Sequence, residues 1–171
     1  MDDKTSIRSD VMPRALAALV SSSAFVVPFA LSASTSPTLR HPRTVFWYRL
    51  LRQPAFKPPD AAIPIVWTAI EGLLAFAGYR LLRRPRTPER DRALGWWALN
   101  VISIGAWSRL FFGHRNLPAS TVGAAAMVAS GAAYVLAARK VDRQAAQAGV
   151  PFVAWVAFAT GLTCAIWLRN R

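Results

Sequence analysis

The chain has 171 residues, of which 54% are hydrophobic, and its charged residues lie mostly between long apolar runs. Lys and Arg outnumber Asp and Glu by 21 to 8, but these runs leave too little sequence for a nucleic-acid-binding domain. We therefore assign the positive charge to contacts with membrane lipid headgroups.

Cysteine and histidine usage argues against disulfides and metal centres. The single cysteine, Cys164, cannot form an internal disulfide and is predicted to be a small buried side chain. The two histidines, His41 and His114, fall in different connections, with no Cys/His cluster of zinc spacing. Axial ligation of a bound haem by one of them is kept as an alternative.

Five apolar segments reach or approach the roughly 20 residues that a helix needs to cross a bilayer. They are residues 15–34, 61–82, 93–112, 117–138 and 148–168. After an N-terminal tail, residues 1–14, the pattern predicts one all-α membrane domain, a five-helix transmembrane bundle over residues 15–171. Basic residues precede the first segment, as in a signal peptide, but its apolar run is longer than a typical signal core. We interpret it as a retained span.

The connection between the first two spans, residues 35–60, is rich in proline and aromatic residues. Pro54 and Pro58 lack a backbone donor and fix φ, so most of the region around them is not expected to form regular helix or sheet. Trp47 and Phe56 suit a membrane–water interface. The connection is either an interfacial segment with aromatic anchors or a rigid lid over a site between helices.

The second span carries Glu71, a carboxyl group at membrane depth. Such groups are rare and face the bundle interior or a cavity. Pro64 and Trp67 lie on the same helical face as Glu71. A structural acid that bonds across helices and a residue with a ligand or proton role both fit this position.

The third span has an aromatic and amide stripe at intervals of three and four residues. Its members are Trp97, Asn100, Ile104, Trp107 and Phe111. Because an unsatisfied amide is costly in hydrocarbon, this face is predicted to point into the bundle.

The fourth and fifth spans also show distinct faces. Ala125 and Ala129 begin a repeat of alanines every four residues, which predicts close helix packing within the bundle or between subunits of a homodimer. In the fifth span, Pro151, Trp155 and Ala159 share a face.

Five short motifs follow one another in a characteristic order. They are WY from Trp47, PxFxPP from Pro54, PxxWT from Pro64, WxxxFFG from Trp107 and PFxxWxxFATGL from Pro151. Their order and spacing resemble the TspO/MBR family of tryptophan-rich sensory or translocator proteins. The resemblance covers spans two to five. It implies a five-helix bundle with a ligand cavity under a lid, and binding of tetrapyrroles such as protoporphyrin IX or haem.

The resemblance also implies roles for individual residues. The ligand-binding positions would be Trp47, Phe56, Pro58, Pro59, Trp67, Trp107, Phe111, Trp155 and Ala159. Glu71 and Asn100 are added to them because they are polar groups at membrane depth. Cations at the cavity rim would pair with tetrapyrrole carboxylates, and the lid offers four of them: Arg43, Arg49, Arg52 and Lys57.

Three departures from the family pattern change polar positions. Glu71 stands where the family has a tyrosine, Ile104 where an asparagine is expected, and Phe152 replaces a tyrosine. The tyrosine-containing motif associated with cholesterol is also absent near the C-terminus, which makes sterols less suitable ligands.

Three functions are consistent with these patterns. The first is a sensory, regulatory or trafficking protein that binds tetrapyrroles or similar aromatic molecules in the inner membrane of a bacterium. The second is light-dependent porphyrin degradation beside Trp67 and Trp155. The third is a small proton-coupled transporter that uses Glu71. No nucleophile–base pair is visible, so no catalytic residue is predicted, and no cofactor is required.

Overall fold

The computed structural model describes residues 11–171, so residues 1–10 of the predicted N-terminal tail lie outside it. Within residues 11–171 all regular structure is helical. The helices are α1 (Arg14–Ser21), α2 (Ser23–Ser32), α3 (Pro42–Leu50), α4 (Ala62–Leu82), α5 (Pro88–Ser108), α6 (Leu117–Arg139) and α7 (Arg143–Arg169). A π-helical turn, Arg109–Gly113, extends α5.

Four of these elements are long and apolar enough to cross a membrane: Arg14–Ser32, which combines α1 and α2, together with α4, α6 and α7. The prediction of an all-helical membrane protein is confirmed at this level. Helix α5 has 21 residues, the length of a span, but four charged residues lie in its first turns. Because of these charges, α5 is not counted among the four elements that are apolar enough to cross a membrane.

The helix boundaries follow local capping chemistry. Thr87, Asn116 and Asp142 precede α5, α6 and α7, and each side chain accepts a hydrogen bond from a backbone N–H in the first turn. These caps start α5 and α7 about five residues before the predicted spans. The first predicted span is interrupted at Ser22, where the hydroxyls of Ser21 and Ser22 donate to carbonyls three residues earlier.

The long helices pack side by side around a shared core. Helix α6 lies between α5 and α7, α7 also packs on α4, and α1 and α2 close the bundle between α4 and α5. Residues 35–60, named the lid from here on, cross one end of the bundle. The lid contains α3, a helix that the sequence did not predict, with Pro42 in its first turn.

The opposite end, named the closed end, is where α4 finishes and α7 begins. The Asp142 carboxylate accepts two hydrogen bonds from Arg80, at 2.9 Å each, and also bonds Arg84. It caps Ala145 N–H at 2.9 Å as well. Burial raises the pKa of Asp142, but the hydrogen bonds from Arg80, Ala145 and Arg84 lower it by more. The pKa therefore lies well below its usual range and Asp142 is ionised.

The buried face of α6 differs from the predicted one. Its core residues are Ala124, Met127, Gly131, Tyr134 and Ala138. Ala125 and Ala129 are exposed, so the first half of the alanine repeat lies off the contact surface. The within-bundle interpretation of that repeat is wrong at these two positions, because the larger Met127 and Tyr134 define the packing face and glycine provides the close approach.

Candidate functional site

A cavity of about 550 Å³ lies between the helices at the lid end of the bundle. Helices α2, α4, α5 and α7 supply its walls, and the lid covers it with Val45, Tyr48, Arg49, Pro58 and Asp60. Ligand sites for drug-sized molecules usually have roughly 300–1,000 Å³, so the volume suits one organic molecule of substantial size.

Three tryptophans from three helices form the aromatic walls. Trp67 on α4 and Trp155 on α7 have ring centroids 6.4 Å apart and nearly perpendicular planes. Trp107 on α5 stacks on Phe111 at 5.1 Å, and its Nε1–H donates to the Ser120 carbonyl at 2.8 Å. The π-helical turn after α5 places Phe111 in the bundle interior, where it is 2% exposed.

Seven predicted site residues line this cavity: Pro58, Trp67, Glu71, Trp107, Phe111, Trp155 and Ala159. They come from the lid and from three different helices. The faces predicted for the second and fifth spans therefore meet at one site, although Pro151 of the latter face is exposed and away from it.

The other four predicted site residues lie elsewhere. Trp47 packs against Phe111 at 5.7 Å, outside the cavity wall, and carries the Arg115 guanidinium at 5.3 Å from its ring. Phe56 is 55% exposed and contacts Phe158 at 6.3 Å. The Pro59 carbonyl accepts the Ala62 N–H at the start of α4.

Asn100 is the fourth and is fully buried away from the cavity. Its amide donates to the Trp96 and Ser130 carbonyls and its Oδ1 accepts from the Ser130 hydroxyl. This side chain ties α5 to α6, and its hydrogen-bonding capacity is taken up by the bundle.

The cations of the lid are unevenly placed. Arg49 lines the cavity, whereas Arg43 and Arg52 are exposed and outside the lining. Lys57 pairs with Asp60 and lies 5.2 Å from the Tyr48 ring centroid. Burial, followed by the negative charge of Asp60, raises the pKa of the Tyr48 hydroxyl to about 12, so this group at the cavity mouth is neutral.

Trp155 has a feature that the sequence did not indicate. Its Nε1 is buried and has no hydrogen-bond partner within residues 11–171. All other buried side-chain nitrogen and oxygen atoms of that part of the chain have a partner. An indole N–H that is cut off from solvent normally has an acceptor. In the wall of a cavity, it is available to an acceptor atom of a bound molecule.

No metal centre emerges from the geometry, since residues 11–171 contain no group of three or more His, Cys, Asp or Glu side chains able to hold an ion. Cys164 is half-buried in α7 with a free thiol.

Comparisons with known proteins agree with the helical membrane fold. The profile of the TspO/MBR family matches residues 24–168. The translocator protein of Sus scrofa is 28% identical over 127 residues, which cover 73% of this chain and 75% of that protein. The tryptophan-rich sensory protein of Cereibacter sphaeroides is 28% identical over 116 residues, or 68% and 72% of the two chains.

Proposed function

Because the chain belongs to the TspO/MBR family, we propose that its cavity binds a tetrapyrrole, protoporphyrin IX or haem, or a similar flat aromatic molecule. Binding then serves a sensory, regulatory or trafficking role in the inner membrane of a bacterium. The names of the relatives, translocator protein and tryptophan-rich sensory protein, support this range of roles.

The observation that carries the proposal is the aromatic cavity itself. Trp67, Trp107 and Trp155 present large flat surfaces to one volume of about 550 Å³, and a planar macrocycle buries most of its area against such walls. Arg49 is the cation of the lining, and its guanidinium suits bidentate pairing with a tetrapyrrole carboxylate at the lid end.

The same proposal includes a fifth membrane crossing by α5. The part of α5 that follows its charged first turn, together with the π-helical turn, covers residues 93–113 and is about 30 Å long, which matches the hydrocarbon core of a bilayer. The charged first turn of α5 then lies at the membrane–water interface, beside the Arg-rich end of α4. Outward-facing Ala125 and Ala129 provide a small-residue surface on which a homodimer can form.

The test is a titration of the detergent-purified protein with protoporphyrin IX and with haem, followed by the visible absorbance of the tetrapyrrole. Trp67→Leu and Trp155→Leu should each weaken binding about tenfold, which corresponds to the loss of one good aromatic contact. Helical content and melting temperature should stay close to those of the wild type.

Trp96→Leu is the matched control. Trp96 is half-buried on α5 and lies outside the cavity lining, so this substitution should leave the affinity unchanged. Equal losses in Trp96→Leu and Trp155→Leu, or no tetrapyrrole binding by the wild type, would contradict the proposal.

One observation favours a second candidate, light-dependent degradation of the bound porphyrin. The perpendicular rings of Trp67 and Trp155 would both lie against a macrocycle in this cavity. Illumination of the complex in air should then bleach the porphyrin faster than illumination of free porphyrin in the same detergent. Equal bleaching rates would contradict degradation and leave tetrapyrrole binding as the proposed function.

A further inference from the structure

Several polar groups of the cavity wall are already bonded to the protein. The Thr68 hydroxyl donates to the Pro64 carbonyl at 2.9 Å and the Thr163 hydroxyl to the Ala159 carbonyl at 2.8 Å. The Trp107 indole is bonded across helices to the Ser120 carbonyl. Among the groups left for a ligand, the Glu71 carboxyl is the one acid of the lining without a protein partner within residues 11–171.

Glu71 lies deep in the cavity. It is nine residues into α4, which places it about 14 Å along the helix axis from Ala62. Within residues 11–171 its carboxylate forms no ion pair and no hydrogen bond with the protein. It nevertheless lines the cavity together with Trp67 and Trp155.

The other charged residues of the lining are at the lid. Arg49 belongs to α3, and Asp60 pairs with Lys57 just before α4 begins. The lid end of the cavity therefore contains a cation and a paired acid, whereas the deep end contains a carboxyl group without a countercharge. A ligand meets opposite electrostatic requirements at the two ends.

We propose that Glu71 makes the deep end of this cavity selective for a basic nitrogen on a flat aromatic ligand. This inference rests on the proposed function and narrows its ligand class. A carboxylate at membrane depth is costly unless a cation or hydrogen-bond donor reaches it, and a protonated or quaternary nitrogen supplies that partner. The tryptophan rings add cation–π attraction.

The deep end also disfavours acidic ligands in the opposite orientation. A tetrapyrrole with two carboxylates is expected to direct both of them toward Arg49 at the lid, since a carboxylate beside Glu71 would have no cationic partner. Glu71 thus sets the ligand's orientation as well as its class. The tyrosine expected at this position would have no comparable preference for charge.

The experiment compares two probes of the same shape, the 10-methylacridinium cation and the neutral 9-methylanthracene. Each is titrated into the full-length protein in an uncharged maltoside detergent, with tryptophan quenching as the readout. Glu71→Gln should weaken binding of the cation about tenfold, the loss expected for one charge-assisted contact. It should leave the affinity for 9-methylanthracene unchanged.

Glu89→Gln is the matched control, because Glu89 is an exposed acid of α5 that lies outside the cavity lining. It should keep the wild-type affinity for both probes. Since all variants are measured in the same micelles, partition of the probes into detergent cancels in the comparison.

The inference is overturned if Glu71→Gln retains the wild-type affinity for the cation. It is also overturned if this variant loses both probes equally, which indicates a packing or neutral hydrogen-bonding role. Binding of protoporphyrin IX without any binding of either probe rejects this inference and leaves the proposed function standing. If the wild type binds none of the three molecules, the proposed function itself is rejected.

Discussion

Helix α4 runs from the cavity to the closed end of the bundle, and its two halves have opposite surroundings. In the second half, Leu74, Ala77 and Leu81 are fully buried against neighbouring helices. In the first half, Trp67 and Glu71 face the cavity. Both halves contain apolar and small residues, so composition does not explain the difference.

The difference lies in what stands opposite each aromatic ring. At the closed end a glycine faces each ring: a Cβ atom at Gly78 would lie 2.6 Å from the Trp97 ring, and one at Gly131 would lie 3.0 Å from Phe152. At the lid end Trp67 faces Trp155, another large ring. Rings that fit against glycine fill the core, whereas rings that face other rings hold the helices apart and leave a cavity.

The largest predicted effect is a loss of stability caused by a substitution at the closed end, away from the cavity. The Asp142 side chain is 1% exposed and bonds Arg80 and Arg84, and removal of one partner from a buried ion pair costs about 3–5 kcal/mol. Both arginines keep some contact with solvent, so we expect a value near the lower limit. Asp142→Asn should lower the melting temperature markedly, while the affinity of the remaining folded protein for protoporphyrin IX stays unchanged.

Acid titration of the melting temperature checks the same cluster. The pKa of Asp142 is depressed in the folded state, and the unfolded value is about 3.9, so its contribution to stability is complete above about pH 5. It is lost progressively as the pH falls through about 4 and below. Asp142→Asn should lack this part of the acid sensitivity. Asp60→Asn, at an exposed pair, should melt like the wild type, and equal destabilisation by the two substitutions would refute the assignment.

A smaller effect is expected from a single methyl group at the glycine–tryptophan contact. Trp97 is 5% exposed, and its Nε1–H donates to the Leu74 carbonyl at 2.8 Å, so the ring has little freedom to move away from a new Cβ. Overpacking of this kind costs about 1–3 kcal/mol. Gly78→Ala should therefore lower the melting temperature even though alanine is the better helix former.

Gly95→Ala is the control for helix propensity. Gly95 lies on the same helix as Trp97, and a Cβ atom there has no neighbour within 4 Å. This substitution should raise stability by up to about 1 kcal/mol. If the two variants shift the melting temperature in the same direction, close packing at Gly78 does not account for the closed end.

The sequence predicted helical faces well and their partners poorly. The three- and four-residue spacing on α5 correctly predicted an inward-facing stripe, in which Trp97, Asn100, Ile104 and Phe111 are buried and Trp107 is half-buried. It did not distinguish Trp97 and Asn100, which belong to the closed end, from the residues at the cavity. That distinction depends on Gly78 and Ser130 of neighbouring helices, which periodicity within one segment does not reveal.

The lid shows a second kind of limit. Its prolines correctly indicated an irregular chain around residues 51–61, but they gave no sign that Trp47 and Phe56 would stay outside the cavity wall. The side on which an interfacial ring packs is set by distant partners, here Phe111 and Phe158. The free indole of Trp155 was equally invisible, because it depends on which acceptors the bundle fails to supply.

The smallest predicted effect concerns how the lid is fastened to the bundle. Asn170, at the end of α7, accepts the Arg52 N–H at 3.0 Å and donates to the Arg52 carbonyl at 3.2 Å. The Arg169 guanidinium donates to the Gln53 carbonyl beside it. Exposed hydrogen bonds of this kind are worth about 0.5–1.5 kcal/mol each, enough to bias the position of the lid without determining the fold.

Asn170→Ala should therefore leave the melting temperature almost unchanged and speed the release of protoporphyrin IX by about three- to tenfold, as measured by stopped-flow displacement. The effect should appear in the dissociation rate because the cavity walls on α4, α5 and α7 are intact and only the lid is loosened. Arg171→Ala, one residue further along the exposed terminus, is the control and should release ligand at the wild-type rate. If both variants release protoporphyrin IX at the wild-type rate, the ligand leaves between helices rather than past the lid.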